Sequence, residues 1–187
     1  MSIEAAFDPF PILTTPRLHL RQLLPTDGAA LFVIKSDFEV TKHYGQEPHQ
    51  SVSDSLAWID ALRTSYARRT DIAWAVTLKD GTFIGACTLW NLDAGYHHGE
   101  IGYELHPTYE KRGFMTEAMS AILDYGFNTL GLHRIEATPF DDNGASKSLL
   151  LKLGFTYEGN LRQRYFFRDH YKDQLYYGLL KAEWLNR

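Results

Sequence analysis

Cysteine is almost missing from this chain. Cys87 is the only one in 187 residues, so no disulfide can form within it. A chain without cross-links is expected in a reducing compartment, and the cytoplasm is the default expectation. Long apolar runs are missing as well. No stretch approaches the roughly 20 residues that a membrane-spanning helix needs. Residues 1–11 contain Glu4 and Asp8 and lack the basic start and apolar centre of a signal peptide. Positive charge is not in excess: the formal net charge is −4, which gives no support to the basic face of a nucleic-acid binder. A mild negative balance suits a cationic amine partner but is too small to select one. There is no internal repeat and no low-complexity tract.

What is present is ordinary globular composition, with 44% hydrophobic and 22% charged residues. The length predicts a single domain over residues 1–187, its core spanning about 15–184. Arg17 to Leu23 alternates as a half-buried strand. Pro25-Thr26-Asp27 opens a helix through about Lys35, and Lys42 to Gln50 reads as a loop. Ser53 or Asp54 caps a second helix to about Arg69, with Leu56, Ile59, Leu62 and Tyr66 at helical spacing. Strands near Ile72–Leu78 and Thr82–Leu92 flank Asp80-Gly81, a hairpin-turn dipeptide. The polar loop Asp93–His98 leads to a strand over Gly99–Leu105. A helix over Met115–Leu130 separates it from the strand His133–Thr138, which predicts a parallel, right-handed crossover. Asp142-Asn143 starts a short helix ending at Gly154. Strands near Phe155–Phe166 and Gln174–Leu180 follow, joined through Arg168-Asp169-His170. The order predicts an α/β protein with a mixed sheet covered by helices, not a regular doubly wound fold.

The run Glu110-Lys111-Arg112-Gly113-Phe114-Met115-Thr116-Glu117 carries the most specific chemistry. It joins the Gly99–Leu105 strand to a strongly patterned helix. Gly113 has no Cβ, so an anion can approach its backbone closely. The first helical turn has free N–H groups at the positive end of the macrodipole. Together these make a main-chain anion site for a phosphorylated cofactor.

In position this run matches the Gln/Arg-x-x-Gly-x-Gly/Ala cofactor motif of the GCN5-related N-acetyltransferase (GNAT) superfamily. Asn143-Gly144-Ala145-Ser146, followed by Lys152-Leu153-Gly154-Phe155, matches that superfamily's second signature. The chain resembles the superfamily over nearly its whole length. The tail Glu158-Gly159-Asn160-Leu161-Arg162, then Asp169-His170-Tyr171-Lys172-Asp173, is similar to the branch that acetylates ribosomal-protein alanine or serine N-termini. Spermidine acetyltransferases share much of this tail. The resemblance implies a GNAT fold: a mixed, mostly antiparallel seven-stranded sheet, helices on both faces, and a splay between the fourth and fifth strands, Gly99–Leu105 and His133–Thr138. It implies acetyl-CoA as cosubstrate. Backbone groups at Leu105 and His106 would hold the pantetheine or acetyl carbonyl. The amides of Lys111, Arg112, Gly113, Phe114, Met115 and Thr116 would hold the pyrophosphate. Asn143 would bond pantetheine, and Ser146 would lie near the thiol. Homodimers are frequent in this branch. Three residues depart from the pattern. Glu110 stands for Gln or Arg, and its carboxylate would repel phosphates unless turned outward. Met115 replaces a small residue. Leu150 stands where many members carry the tyrosine that protonates the leaving thiolate.

Acetyl transfer needs a neutral amine and a group to take its proton. Glu100 is the first candidate base and shares a strand face with Gly102 and Glu104. It equally fits a strand-end carboxylate in a surface salt bridge. Glu104 is the second candidate, nearer the expected acetyl group. Ser146 is the candidate proton donor to the CoA thiolate; Tyr165 is an alternative. No metal site is expected, because His97 and His98 point to opposite strand faces and lack a third ligand. The expectation is an N-acetyltransferase acting by direct transfer in a ternary complex, its acceptor a protein N-terminus. The alternatives are a small-molecule amine acetyltransferase (for a polyamine, aminoglycoside or amino acid) and a non-catalytic acyl-CoA-binding module. In the two loops expected to shape the acceptor mouth, only Glu47 and Asp93 are acidic, thin support for a polyamine.

Overall fold

Alternation along the strands sets the layers. β3 (Ile72–Leu78) is buried along almost its whole length, with Ile72, Trp74 and Val76 on one face and Ala73 and Ala75 on the other. Its large side chains join Leu18, Leu20, Cys87 and Leu89 beneath α4 (Phe114–Asp124), which contributes Phe114, Ala118, Met119, Ile122 and Leu123. Its alanines face the smaller cluster of Leu23, Leu31 and Ile59, contributed in part by α1 (Gly28–Lys35) and α3 (Val52–Ala67). The sheet is therefore covered on both faces, as the sequence pattern predicts.

This arrangement is seen in the computed structural model, which describes residues 7–187. The remaining strands are β1 (Leu13–Thr14), β2 (Leu18–Gln22), β4 (Phe83–Asp93), β5 (His98–Leu105), β6 (Arg134–Ala137), β7 (Thr156–Phe167) and β8 (His170–Leu180). The remaining helices are α2 (Phe38–Thr41), α5 (Gly144–Lys152) and α6 (Lys181–Leu185). The strand order is β1-β2-β3-β4-β5-β6-β8-β7. Every pairing is antiparallel except β5 with β6, which is parallel. That exception is the crossover expected around α4.

Among the described residues the sheet has eight strands rather than seven. The additional β1 is two residues long, too short to show a pattern, and pairs with His19 and Leu20. The splay expected between the fourth and fifth strands consequently lies between β5 and β6. The cap of α3 is Ser51, not Ser53 or Asp54; Asp54 stands three residues on and accepts from the Ser51 backbone N–H at 2.9 Å, completing a capping box. The helix expected to reach Leu130 is α-helical only to Asp124 and continues as a π-turn over Tyr125–Thr129. α2 and α6 were not expected. α6 is fastened to α4 by a hydrogen bond from Trp184 Nε1 to Asp124 Oδ1 at 2.6 Å. Among the described residues no helix is long and apolar enough to cross a membrane. The expectation about a leader rests on residues 1–11, of which 1–6 lie outside the described residues.

Candidate active site

β5 and β6 pair only at their start: His98 with Arg134, Gly99 with Ile135, Glu100 with Glu136. Beyond Glu100 the strands part, while β5 stays paired to β4 as far as Leu105. The His106 N–H bonds Ile84 O on the β4 side at 2.8 Å. Successive amides alternate sides along a strand, so the backbone groups of Tyr103 and Leu105 are directed at the gap, where no strand pairs with them. A cavity of about 450 Å³ occupies this opening, lined by Ile101 to Glu104 on one side and Ala137, Thr138 and Pro139 on the other.

The expected anion turn closes one end of β5. Gly113 is the N-cap of α4 with φ +77°, and Lys111 also has positive φ, +57°. Such a turn leads the chain into the helix with the first-turn amides of α4 outside the helical bonding pattern. Glu110, Lys111 and Arg112 are all exposed, so nothing holds the Glu110 carboxylate inward. The turn is braced from β2's approach. Arg17 Nη1 donates to Arg112 O at 3.0 Å, its Nε donates to Glu117 Oε2 at 2.5 Å, and its guanidinium lies 4.4 Å from the Phe114 ring. Burial opposes ionisation of Glu117, but hydrogen bonds from Thr15 and Arg17 outweigh it and hold the carboxyl below its ordinary value.

Two side-chain groups meet in the cavity. The first centres on Glu104, which is 8% exposed. Its Oε2 receives Lys35 Nζ at 2.9 Å and Tyr44 Oη at 2.9 Å, while its Oε1 is buried with no partner among the described residues. Lys35 ends α1 and is itself only 3% exposed. Its ammonium lies 4.1 Å from the Trp58 ring and 5.2 Å from that of Tyr44. Burial first, then the Glu104 charge, pushes the Tyr44 phenol far up, so it stays protonated. The second group is Tyr103 Oη with Ser146 Oγ, 2.7 Å apart across the mouth of the splay. Burial pushes the Tyr103 phenol well up too. Ser146 sits in the first turn of α5, which Asn143 caps by accepting from Ser146 N at 2.9 Å.

The sequence-derived candidates divide accordingly. Glu104, Asn143 and Ser146 line the cavity; Leu105, the last residue of β5, and His106 after it do not, and the His106 ring accepts from Thr108 N at 3.2 Å. Lys111, Arg112, Gly113, Phe114, Met115 and Thr116 form the turn and the start of α4, Met115 packing its sulfur 3.4 Å from Cys87 Sγ. Glu100 is not in the cavity lining. It stands at the closed end of the splay, where Asn91 Nδ2 donates to it at 2.8 Å. Tyr165 packs on Phe140 with ring centroids 5.5 Å apart. Leu150 is fully buried in the main core. His98, Glu100 and Glu136 bring one ligand atom each within 4.8 Å, a grouping that neighbouring histidines alone did not foretell. Two of its members are engaged: Glu136 accepts from Arg134 Nε at 2.6 Å, and Glu100 from Asn91. Sequence reasoning missed Lys35, His43, Tyr44, Asp71 and Tyr103, all in the cavity wall. None of them carries a local sequence signal; β5 parity alone puts Tyr103 on the face opposite Glu104.

Comparison with known proteins agrees with this geometry. Residues 17–156 match the acetyltransferase (GNAT) domain family. The uncharacterised N-acetyltransferase YoaA of Bacillus subtilis (strain 168) is 39% identical over 173 residues, covering 92% of this chain and 98% of that protein. YdaF of the same organism, whose ribosomal N-acetyltransferase assignment is provisional, is 30% identical over 169 residues, covering 88% of this chain and 92% of that protein. The structure of spermidine N-acetyltransferase from Vibrio cholerae, in complex with CoA and spermine, has the same fold. Its TM-score is 0.82 at 23% identity, covering 92% of this chain and 100% of that one.

Proposed function

This chain belongs to the GNAT family of acetyltransferases, and from that premise we propose that it acetylates the α-amino group of a peptide or protein N-terminus by direct transfer from acetyl-CoA. The observation that carries this reading is the unpartnered Oε1 of Glu104, buried in the same splay cavity as the unpaired edge of β5.

The residues present fit acetyl-CoA. The Gly113 turn offers amides and the cations Lys111 and Arg112 to a diphosphate. The free edge of β5 offers backbone partners to an extended pantetheine arm, and the Asn143 side-chain NH2 remains available as a donor. When bound, acetyl-CoA supplies an acyl carbon joined to a thiol leaving group. The N–H of Tyr103 or Leu105 would stabilise the charge that develops on the carbonyl oxygen. Losing one such donor typically weakens catalysis by about 2.7–4 kcal/mol. Glu104 Oε1 would orient the acceptor amine and take its proton as the C–N bond forms. Ser146 would give a hydrogen bond to sulfur as the C–S bond breaks. Tyr103, kept a neutral phenol by burial, can donate to Ser146 Oγ and leave the serine proton free for that role. This pair supplies hydroxyls where Leu150 supplies none. No protein nucleophile is needed. Cys87 is the only thiol, and burial pushes its pKa well above the ordinary range.

An α-amine fits the supply of bases. Its pKa of about 7.7–8.0 leaves a useful neutral fraction near pH 7, whereas a lysine at about 10.4 is almost wholly protonated. The relationship to YdaF points the same way. Thiol release is to be followed with acetyl-CoA and a panel of N-terminal peptides. Turnover with free α-amines, and none with the same peptides pre-acetylated, is expected. Glu104→Gln should lower kcat/KM by about 10²-fold or more while CoA binding is retained. Wild-type turnover in that variant would remove Glu104 from the reaction.

A further inference from the structure

Lys35 is a buried cation to which the transfer chemistry gives no task. Its ammonium is placed by three partners: Glu104 at 2.9 Å, the Trp58 face at 4.1 Å and the Tyr44 ring at 5.2 Å. Among the described residues, the other chargeable groups in the cavity wall are Glu104, Asp71 and His43, with the phenols of Tyr44 and Tyr103. Both phenols stay neutral, and burial outweighs the nearby Asp142 carboxylate, 3.8 Å away, to hold the His43 imidazole below its ordinary value. Two carboxylates and one ammonium leave the cavity with one net negative charge. Trp58, Leu62, Trp90 and Ile101 add apolar surface to a wall that also carries neutral polar groups such as Gln46 and Thr88; Lys35 and Glu104 are themselves buried, so their charges are weakly screened.

We infer that Lys35 is a specificity-determining residue: by cancelling one of the two carboxylates it makes the cavity select amines carrying a single positive charge and reject diamines and polyamines. This rests on the acetyltransferase reading above. One ammonium entering toward Glu104 Oε1 neutralises the site. A second ammonium would enter a wall already neutral overall, where Asp71, half-buried and already accepting from Asn91 N at 3.2 Å, is the one remaining carboxylate among the described lining residues. Without that charge the cavity carries two net negative charges and suits a dication.

The test compares kcat/KM for pentylamine and 1,5-diaminopentane, with an N-terminal alanine peptide as reference acceptor. It is run on wild type, Lys35→Met and Lys35→Gln. Wild type should favour the monoamine by about tenfold or more, and either variant should shift the ratio toward the diamine by about tenfold or more. Lys35→Gln keeps a hydrogen-bond donor for Glu104 and serves where Lys35→Met fails to fold, as judged by thermal melting. A wild type indifferent to the second charge, or variants that leave the ratio unchanged, overturns the inference. Variants that lose both amines equally overturn it too, since Lys35 then only holds Glu104 in place. No thiol release from wild type with any amine, the peptide included, defeats instead the acetyltransferase reading on which the inference stands.

Discussion

Replacing Gly113 by alanine probes the anion turn with one methyl group. Its φ of +77° and ψ of 6° lie in the left-handed region, where an L-residue costs roughly 1–2 kcal/mol. Space is not the obstacle. An added Cβ would meet Arg17 Nη2 at 3.5 Å, an ordinary contact. The penalty is therefore conformational, and it can surface in two places. If the turn keeps its shape without ligand, the variant loses about 1–2 kcal/mol of folding stability and binds CoA as wild type does. If the turn relaxes when free, stability is kept and the strain falls on binding. At 1.4 kcal/mol per tenfold, Kd then rises about five- to thirtyfold. The two losses should sum to about 1–2 kcal/mol, and any excess measures exclusion of the phosphate by the methyl group itself. Calorimetric titration with CoA and urea unfolding, on the same preparations, read both halves. Gly131→Ala is the control. Its φ is +74° with nothing within 4 Å of an added Cβ, and it does not line the cavity. The same strain there should appear wholly in stability, with Kd unchanged. A Gly113→Ala variant that alters neither quantity, or a Gly131→Ala variant that weakens CoA binding as much, would contradict a strained, ligand-binding turn at Gly113.

Other outcomes follow from the same structure. Ile122 is fully buried between α4 and the sheet, so Ile122→Ala should cost about 2–5 kcal/mol in urea unfolding, with the CoA Kd of the folded fraction preserved. Ser146→Ala and Tyr103→Phe should both lower kcat, and on the proposal that the tyrosine acts through the serine the double variant is no worse than Ser146→Ala alone; additive losses in kcat would separate the two. His43 and His49 are both held below the ordinary histidine value of 6.5, chiefly by burial. The unfolded chain takes protons first, so stability is fully present above about pH 6.5 and falls as pH drops through the lowered folded values. Melting temperatures between pH 7.5 and 5 should show this slope, and the paired His43→Gln, His49→Gln variant should flatten it.

The parts of this protein that were legible in its sequence are those specified locally. The Gly113 turn is written in consecutive residues, since the glycine, the cations and the helix start all fall within one short run. The parallel β5–β6 pair follows from the short connection through α4, and the hairpin at Asp80-Gly81 from the dipeptide itself, with Gly81 N bonding Leu78 O at 3.0 Å. Asn143 and Ser146 meet across a helix cap three residues apart, but their expected cofactor contacts are implied by the family resemblance and not by that local pattern. What escaped was assembled from a distance. Glu104 meets Tyr44 from 60 positions away, and Tyr103 meets Ser146 across 43. Nothing near Lys35 in sequence announces that its ammonium turns inward, because the last residue of an amphipathic helix is ordinarily solvated. Glu100 and Glu104 share a strand face and cannot be told apart by parity. Only the point at which β6 leaves β5 distinguishes them. The π-turn at Tyr125–Thr129 was hidden because its apolar spacing continues that of α4.

Direct transfer, within a complex holding both substrates, is tested by rapid-quench measurement of thiol release. Enzyme mixed with acetyl-CoA alone should release no CoA, and release should begin only when a free α-amine peptide is added. A burst of one equivalent of CoA before any amine is present, with the acetyl group retained on the protein, would contradict it.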